Sequence, residues 1–335
     1  MLLSKEEYIT RLAIIWGANL DTINIIKRTN NSKFEGMYED YLNSNGKKQK
    51  LTGCVDLDKL KYIESNQRFK TKEASFANSW LILPDLQKLL LKNVLTDKYS
   101  NKSKFYCLCN HLVIPRICSD LELESANYFL AQKQDKRGIY ILTPNFLNEN
   151  EELKTGQDIS NDIFIFGLSN STEDNIEIAQ RFINLNRGTE DESEHIKQAI
   201  IKQTIFWYII KNLDQSKRNW GIIKGSNGIR FAPNYDYDFC LDSVEDGAEY
   251  TRVNDKNIES VINKYKKLPW FGKWLEDTVF KLDTEHCFSE SKKLLPDKYA
   301  SVYDEYTKNS VNVIKSRINK IKEIYMPIPI EIEAD

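Results

Sequence analysis

A chain of 335 residues, 41% apolar and 29% charged, has the composition of a soluble globular protein, long enough for a substantial core and for two lobes. Its net charge of −2 comes from 47 basic and 49 acidic residues mixed along the chain, which excludes a general attraction to nucleic acid or anionic membrane. The longest apolar run, residues 205–210, falls far short of the roughly 20 residues of a membrane helix, and the opening MLLSKEEY lacks signal-peptide architecture, so a cytoplasmic location is expected.

Residues 4–30 are expected to be helical, because Tyr8, Leu12 and Ile15, and then Leu20, Ile23 and Ile26 after Gly17, recur every three to four positions. Residues 30–50 are polar, carry Gly36 and Asn45-Gly46, and read as a turn-rich connection. A short amphipathic helix is expected over 56–63, then a polar loop over 67–79 containing Ser75 and Ser79. Apolar strands are expected at 80–83 and 89–91 around Pro84-Asp85, with Lys92 directly after the second. A helix around 106–118, interrupted by Pro115, precedes strand candidates at 126–131 and 138–142. After Pro144 the pattern turns mostly helical. Helices are expected at 172–185 behind a Ser171/Thr172 cap, at 194–210, at 255–265, at 271–280 and, longest of all, at 299–325.

The 6 cysteines form no CxxC pair and only 3 histidines are present, so neither a disulfide framework nor a structural zinc site is expected. Cys107-Leu108-Cys109 lies near His111 but has no second ligand pair at finger spacing, and free buried thiols are the simpler reading. His195 and His286 sit in polar segments and read as surface residues. The tryptophans Trp80, Trp207, Trp220, Trp270 and Trp274 read as core.

The chemistry concentrates in residues 205–241. A buried helix end is followed by a polar loop over 211–218, a hairpin with strands at 220–223 and 229–232, and an acidic turn holding Asp236 and Asp238. The hairpin residues Lys224-Gly225-Ser226-Asn227-Gly228 suit the positive φ angles of a tight loop. An antiparallel hairpin returns the chain to its start, so Asp236 is expected beside Asp214 and Asn219. Two carboxylates and an amide converging there make the oxygen-rich set of a Mg²⁺–phosphate site. Asp238 reads either as a supporting or as an exposed carboxylate. A small β-rich part followed by a larger helical part carrying this site is the layout of a bilobal kinase.

Two stretches carry a resemblance to the HipA-like kinases. The first is Asn212-Leu213-Asp214-Gln215-Ser216-Lys217-Arg218-Asn219-Trp220 with Ala232-Pro233-Asn234-Tyr235-Asp236, similar to that family's Asn-Thr-Asp-Arg-His-x-x-Asn-Trp loop and Pro-x-(Phe/Tyr)-Asp turn. The second runs from Ser125-Ala126-Asn127-Tyr128 through Gly138-Ile139-Tyr140-Ile141-Leu142-Thr143-Pro144 to Glu151-Glu152-Leu153-Lys154-Thr155-Gly156. The resemblance, over about residues 75–245, implies an α+β bilobal HipA-like fold. An extension over 1–70 would precede a small β-rich N-lobe over 71–143 and a mainly helical C-lobe over 144–335. It implies ATP and Mg²⁺ as cofactors and transfer of the γ-phosphate to a Ser or Thr hydroxyl of a protein.

Carried over residue by residue, Asp214 would orient the acceptor hydroxyl and take its proton, and Asn219 and Asp236 would hold Mg²⁺. Lys92 would reach the α- and β-phosphates, Leu142 and Thr143 belong to the adenine-side hinge, and Ser75 and Ser79 lie in the loop expected to cover the nucleotide. Any antitoxin-like partner would be a separate chain; from the balanced charge and the short apolar runs, this chain itself is expected to make no direct contact to nucleic acid or membrane. The family's Arg-His is replaced by Gln215-Ser216, no glutamate lies in the 106–118 helix, and residues 73–79 contain no glycine. These departures keep a pseudokinase-like binding module open, and a small-molecule phosphotransferase, with a narrow pocket over Asp214, is a third reading.

Overall fold

A computed structural model of the chain describes residues 2–29, 31–65, 78–93, 101–133, 139–164, 171–241 and 255–326. Its residues cluster into two compact units, one comprising Met1–Leu108 and Asn127–Phe146, the other Cys109–Ala126 and Leu147–Asp335.

The first unit opens with three helices, α1 (Lys5–Trp16), α2 (Leu20–Thr29) and α3 (Ser32–Asn43). A reciprocal capping box between Ser4 and Glu7 starts α1, and Gly17 in the left-handed region ends it. Helix α3 replaces the turn-rich connection expected over 30–50. Phe34, Met37 and Tyr41 recur at helical spacing and are buried against Tyr8 and Leu12 of α1, and Asn31 caps the helix through Lys33 N. That apolar stripe outweighs the polar composition of the segment.

The strands β1 (Cys54–Asp56), β2 (Ile63–Glu64), β3 (Asn78–Ile82), β4 (Lys88–Asn93), β5 (Phe129–Gln132) and β6 (Ile139–Pro144) form a six-stranded sheet in the order β1-β5-β6-β4-β3-β2. The β1–β5 pair is parallel and the others antiparallel. The helix expected over 56–63 is instead a turn joining two short strands, β1 ending at Asp56 and β2 starting at Ile63. Asp56 turns the chain by accepting from Asp58 N through its side chain and from Lys59 N and Leu60 N through its carbonyl. Leu57 and Leu60, whose spacing imitated a helix, pack into the core under the sheet with Leu81, Leu89, Leu91 and Leu142.

Helix α4 (Asn101–Asp120) passes through the division between the units and continues across Pro115, which removes only the bond to the His111 carbonyl one turn earlier. In the second unit, β7 (Glu152–Thr155), β8 (Gly221–Gly225) and β9 (Gly228–Phe231) form a three-stranded antiparallel sheet. Strand β7 stands where a helical pattern was expected, because its partner β8 comes far later in the chain. The rest of this unit is helical, with α5 (Gly156–Asp162) and α7 (Glu190–Ile209) against the sheet and α6 (Thr172–Leu185), α8 (Asp255–Tyr265), α9 (Pro269–Asp277), α10 (Thr284–Lys292) and α11 (Ala300–Tyr325) completing it. Trp207, Trp220 and Trp274 are buried, whereas Trp80 and Trp270 are half-buried rather than core. Among the described residues no helix is long and apolar enough to cross a membrane.

Candidate active site

The site is built from the end of α7. Thr189 and Glu192 form a capping box at its start, and the helix becomes apolar all round at Phe206, Trp207, Tyr208 and Ile209, which are buried. Arg317 of α11 donates to the Tyr208 carbonyl at 2.6 Å, and Tyr208 Oη donates to Asp255 at 2.8 Å, so the helix end is fixed from a second side. Lys211 then enters the left-handed region at φ 47° and the helix stops.

The following loop closes on itself through its own side chains. Asn212 Oδ1 accepts from Asp214 N at 2.9 Å, Gln215 Nε2 donates to the Asn212 carbonyl at 2.8 Å, and Asn219 Nδ2 donates to the Asp214 carbonyl at 2.7 Å. The Asp214 carboxylate is half-buried and takes no part in closing the loop, while Asn219, with its Nδ2 committed, presents Oδ1 as its acceptor atom. Two amides at the start of α5 grip the loop from outside: Gly156 N donates to the Trp220 carbonyl and Gln157 N to the Lys217 carbonyl.

Strands β8 and β9 meet in a tighter hairpin than the sequence indicated, with Gly225 opposite Gly228 and only Ser226-Asn227 between them. Gly228 sits at φ 108°, a conformation that a side chain would strain. Past β9 the chain reaches the acidic segment. Its direction is set by Asn234, which exchanges bonds with 124–126: Asn234 N donates to the Glu124 carbonyl and Ala126 N to the Asn234 carbonyl. Gln203 Nε2 of α7 fixes the Asn234 side chain at 2.8 Å. Tyr235 Oη donates to the Arg218 carbonyl and Leu213 N to the Phe239 carbonyl, so the acidic segment runs alongside the loop bearing Asp214 and Asn219.

Asp236 adopts φ 62°, uncommon for a residue other than glycine, at a cost of about 1 kcal/mol or more. Its neighbours hold it there. Tyr237 Oη reaches the Asn234 carbonyl at 2.9 Å and Ser125 Oγ at 2.7 Å. Asn110 of α4 donates to the carbonyls of both Tyr237 and Cys240 and accepts from Tyr306 Oη at 2.6 Å. The residue after it, His111, is buried, and its Nε2 lies 3.4 Å from Asp238 Oδ1. His111, Asp236 and Asp238 each offer a ligand atom within 4.8 Å of the others.

The expected site residues thus fall into two groups. Asp214, Asn219 and Asp236 lie on adjoining segments of the second unit. Lys92, Ser79, Leu142 and Thr143 lie on the six-stranded sheet of the first. There, Lys92 pairs with Ile141 and Leu90 with Thr143, which puts Lys92 and Thr143 on one face. Ser79 and Leu142, both paired with Leu91, share the opposite face. Ser75 and most of the expected covering loop lie outside the described residues. His195 and His286 are exposed. The histidine that matters is His111. Sequence spacing set it beside two cysteines, and its only signal was a lone imidazole in a helix otherwise lined with Leu112, Val113 and Ile114.

No family model matches the chain, and no curated protein matches it in sequence. Solved structures do. The proinflammatory kinase CtkA of Helicobacter pylori superposes with a TM-score of 0.53 at 14% identity, covering 81% of this chain and 96% of its own. HipA of the Shewanella oneidensis MR-1 toxin–antitoxin system, determined with HipB and its operator DNA, superposes with a TM-score of 0.50 at 12% identity, covering 86% of this chain and 72% of its own. The chain has a HipA-like kinase fold. Its α+β architecture and that kinase fold are as the sequence resemblance implied.

Proposed function

We propose that this protein is an ATP- and Mg²⁺-dependent kinase that transfers the γ-phosphate to a Ser or Thr hydroxyl of a protein substrate. The observation that carries the reading is the self-closed loop 212–219 with the acidic segment bonded along its side. It holds a half-buried carboxylate, an amide oxygen and a second carboxylate on adjoining backbone, the donor set that suits a hard divalent cation and a phosphate chain. Bound Mg²⁺ neutralises charge on the phosphates. The chain's own residues do the rest: Asn219 and Asp236 hold the ion, and Asp214 orients the acceptor hydroxyl and accepts its proton. From the first unit, Lys92 and Thr143 are proposed as side-chain contacts to the nucleotide on the strength of the resemblance, Leu142 as a hinge residue packed behind them, and Ser75 as part of the covering loop, with Ser79 on strand β3 rather than in that loop.

The setting is proposed to be cytoplasmic. A separate antitoxin-like chain is proposed as partner by analogy with HipA, whose structure includes HipB and DNA. The balanced charge of this chain implies no general attraction to nucleic acid.

One observation favours a second reading, a nucleotide-binding module without turnover. Gln215 is spent on closing the loop through the Asn212 carbonyl, where the resembling family has an arginine followed by histidine. Incorporation of labelled phosphate from ATP into protein by the purified chain, lost in Asp214→Ala and Asp236→Ala, separates the two. A wild type that binds Mg-ATP in a thermal-shift assay without any transfer supports the binding module.

A further inference from the structure

Besides Asn219 and Asp236, the second unit brings together a set of possible ligands that the sequence did not connect: His111 from α4 with Asp236 and Asp238 from the acidic segment. We propose that these side chains form a binding site for a first-row transition-metal ion, with Mn²⁺ preferred over Mg²⁺. The site binds its ion without nucleotide and stands whether or not the protein transfers phosphate.

Three observations carry it. The first is geometry. Metal–ligand bonds of about 2.1 Å put ligand atoms about 3.0–4.2 Å apart, depending on coordination number. The His111 Nε2 to Asp238 Oδ1 separation of 3.4 Å falls in that window and is longer than the roughly 2.7–2.9 Å of a charge-assisted hydrogen bond. The second is burial. The side chains of His111 and Asp238 are 0% and 7% exposed, and two carboxylates held close together so far from water favour a bound cation. The third is rigidity. Asn110, directly before His111, bonds the Tyr237 and Cys240 carbonyls on either side of Asp238, so the helix and the segment that supply the ligands are locked in register.

The donor chemistry selects the ion. Mg²⁺ takes oxygen ligands and keeps its waters, whereas an imidazole nitrogen with two carboxylates suits first-row ions that accept nitrogen. Sharing Asp236 would also let this ion brace the carboxylate proposed to hold the phosphate-bound Mg²⁺.

The test uses the full-length chain, Mn²⁺ or Mg²⁺ alone, and no nucleotide. Equilibrium titration followed by electron paramagnetic resonance is expected to show Mn²⁺ bound at one site per chain, at least about tenfold more tightly than Mg²⁺. Pulsed spectra of the bound ion are expected to show coupling to an imidazole ¹⁴N nucleus. His111→Gln and Asp238→Asn are expected to weaken Mn²⁺ binding by at least about tenfold each while keeping the wild-type circular dichroism spectrum. Should either variant fail to fold, the ¹⁴N coupling in the wild type still decides. A folded wild type that binds no Mn²⁺, binds it without nitrogen coupling, or binds it equally well in both variants would reduce His111–Asp238 to a structural contact and overturn the proposal.

Discussion

The six-stranded sheet of the first unit and the acidic segment of the second are held by different forces. In the sheet, Leu81, Leu89, Leu91 and Leu142 on one face pack into a shared apolar core, a non-directional attraction that scales with buried area. Around the acidic segment, Asn110, Gln203, Asn234 and Tyr237 each make directed hydrogen bonds to named atoms distant in the chain. Apolar packing tolerates exchanges of similar volume, while directed bonds fix a backbone such as that of Asp236 in a conformation it would not adopt alone. Stability is therefore expected to be most sensitive in the sheet, and site geometry most sensitive around the segment.

The largest loss of stability is expected in the sheet. Leu89→Ala removes a fully buried side chain and should cost about 2–5 kcal/mol, read from chemical denaturation. Asn110→Ala comes next. It strips partners from Tyr306 Oη and two carbonyls in a buried setting and should cost about 2–3 kcal/mol. Unlike the leucine change, it should also lower phosphate transfer at temperatures where the protein is fully folded; equal specific activity of the folded Asn110→Ala and Leu89→Ala proteins would erase the distinction.

Tyr237→Phe leaves the packing intact and removes the hydroxyl that meets Asn234 and Ser125. A cost of about 1–2 kcal/mol is expected from thermal melts, again with an effect on transfer.

The smallest effect belongs to Glu192. Hydrogen bonds from Ile229 N and from Thr189 N hold its carboxyl below the usual carboxylate range. A group depressed in the folded state contributes stability that is fully present above the unfolded glutamate value of about 4.3 and is lost as pH falls through the folded value. Glu192→Gln should therefore lower stability by about 1 kcal/mol or less at neutral pH and flatten the acid side of the stability profile below about pH 5. A mutant profile parallel to wild type through that range would show that the carboxylate adds nothing.

What the sequence revealed follows the same division between local and distant causes. The hairpin was legible because Gly225, Asn227 and Gly228 are needed within a few residues of one another, and the end of α7 because its apolar run is continuous. Helix α3 was obscured by the asparagines and glycine that surround Phe34, Met37 and Tyr41. Strand β7 could not be read locally, since Glu152–Thr155 becomes a strand by pairing with β8, which begins beyond the intervening helices α5, α6 and α7 of the second unit. In the site, Asp214, Asn219 and Asp236 stood out as polar residues flanking one hairpin. His111 and Asn110 did not, because what makes them functional candidates is the approach of a helix to a segment far along the chain.

The central claim is that loop 212–219 and the acidic segment beside it perform phosphoryl transfer. The most direct measurement compares wild type with Asp214→Asn, which keeps the shape of the side chain and leaves the bonds made by Asp214 N and its carbonyl in place. Both proteins should bind Mg-ATP equally well by calorimetry, while the mutant transfers labelled phosphate at least about a hundredfold more slowly. Equal transfer by the two proteins, or no transfer by a folded wild type that binds Mg-ATP, would contradict it.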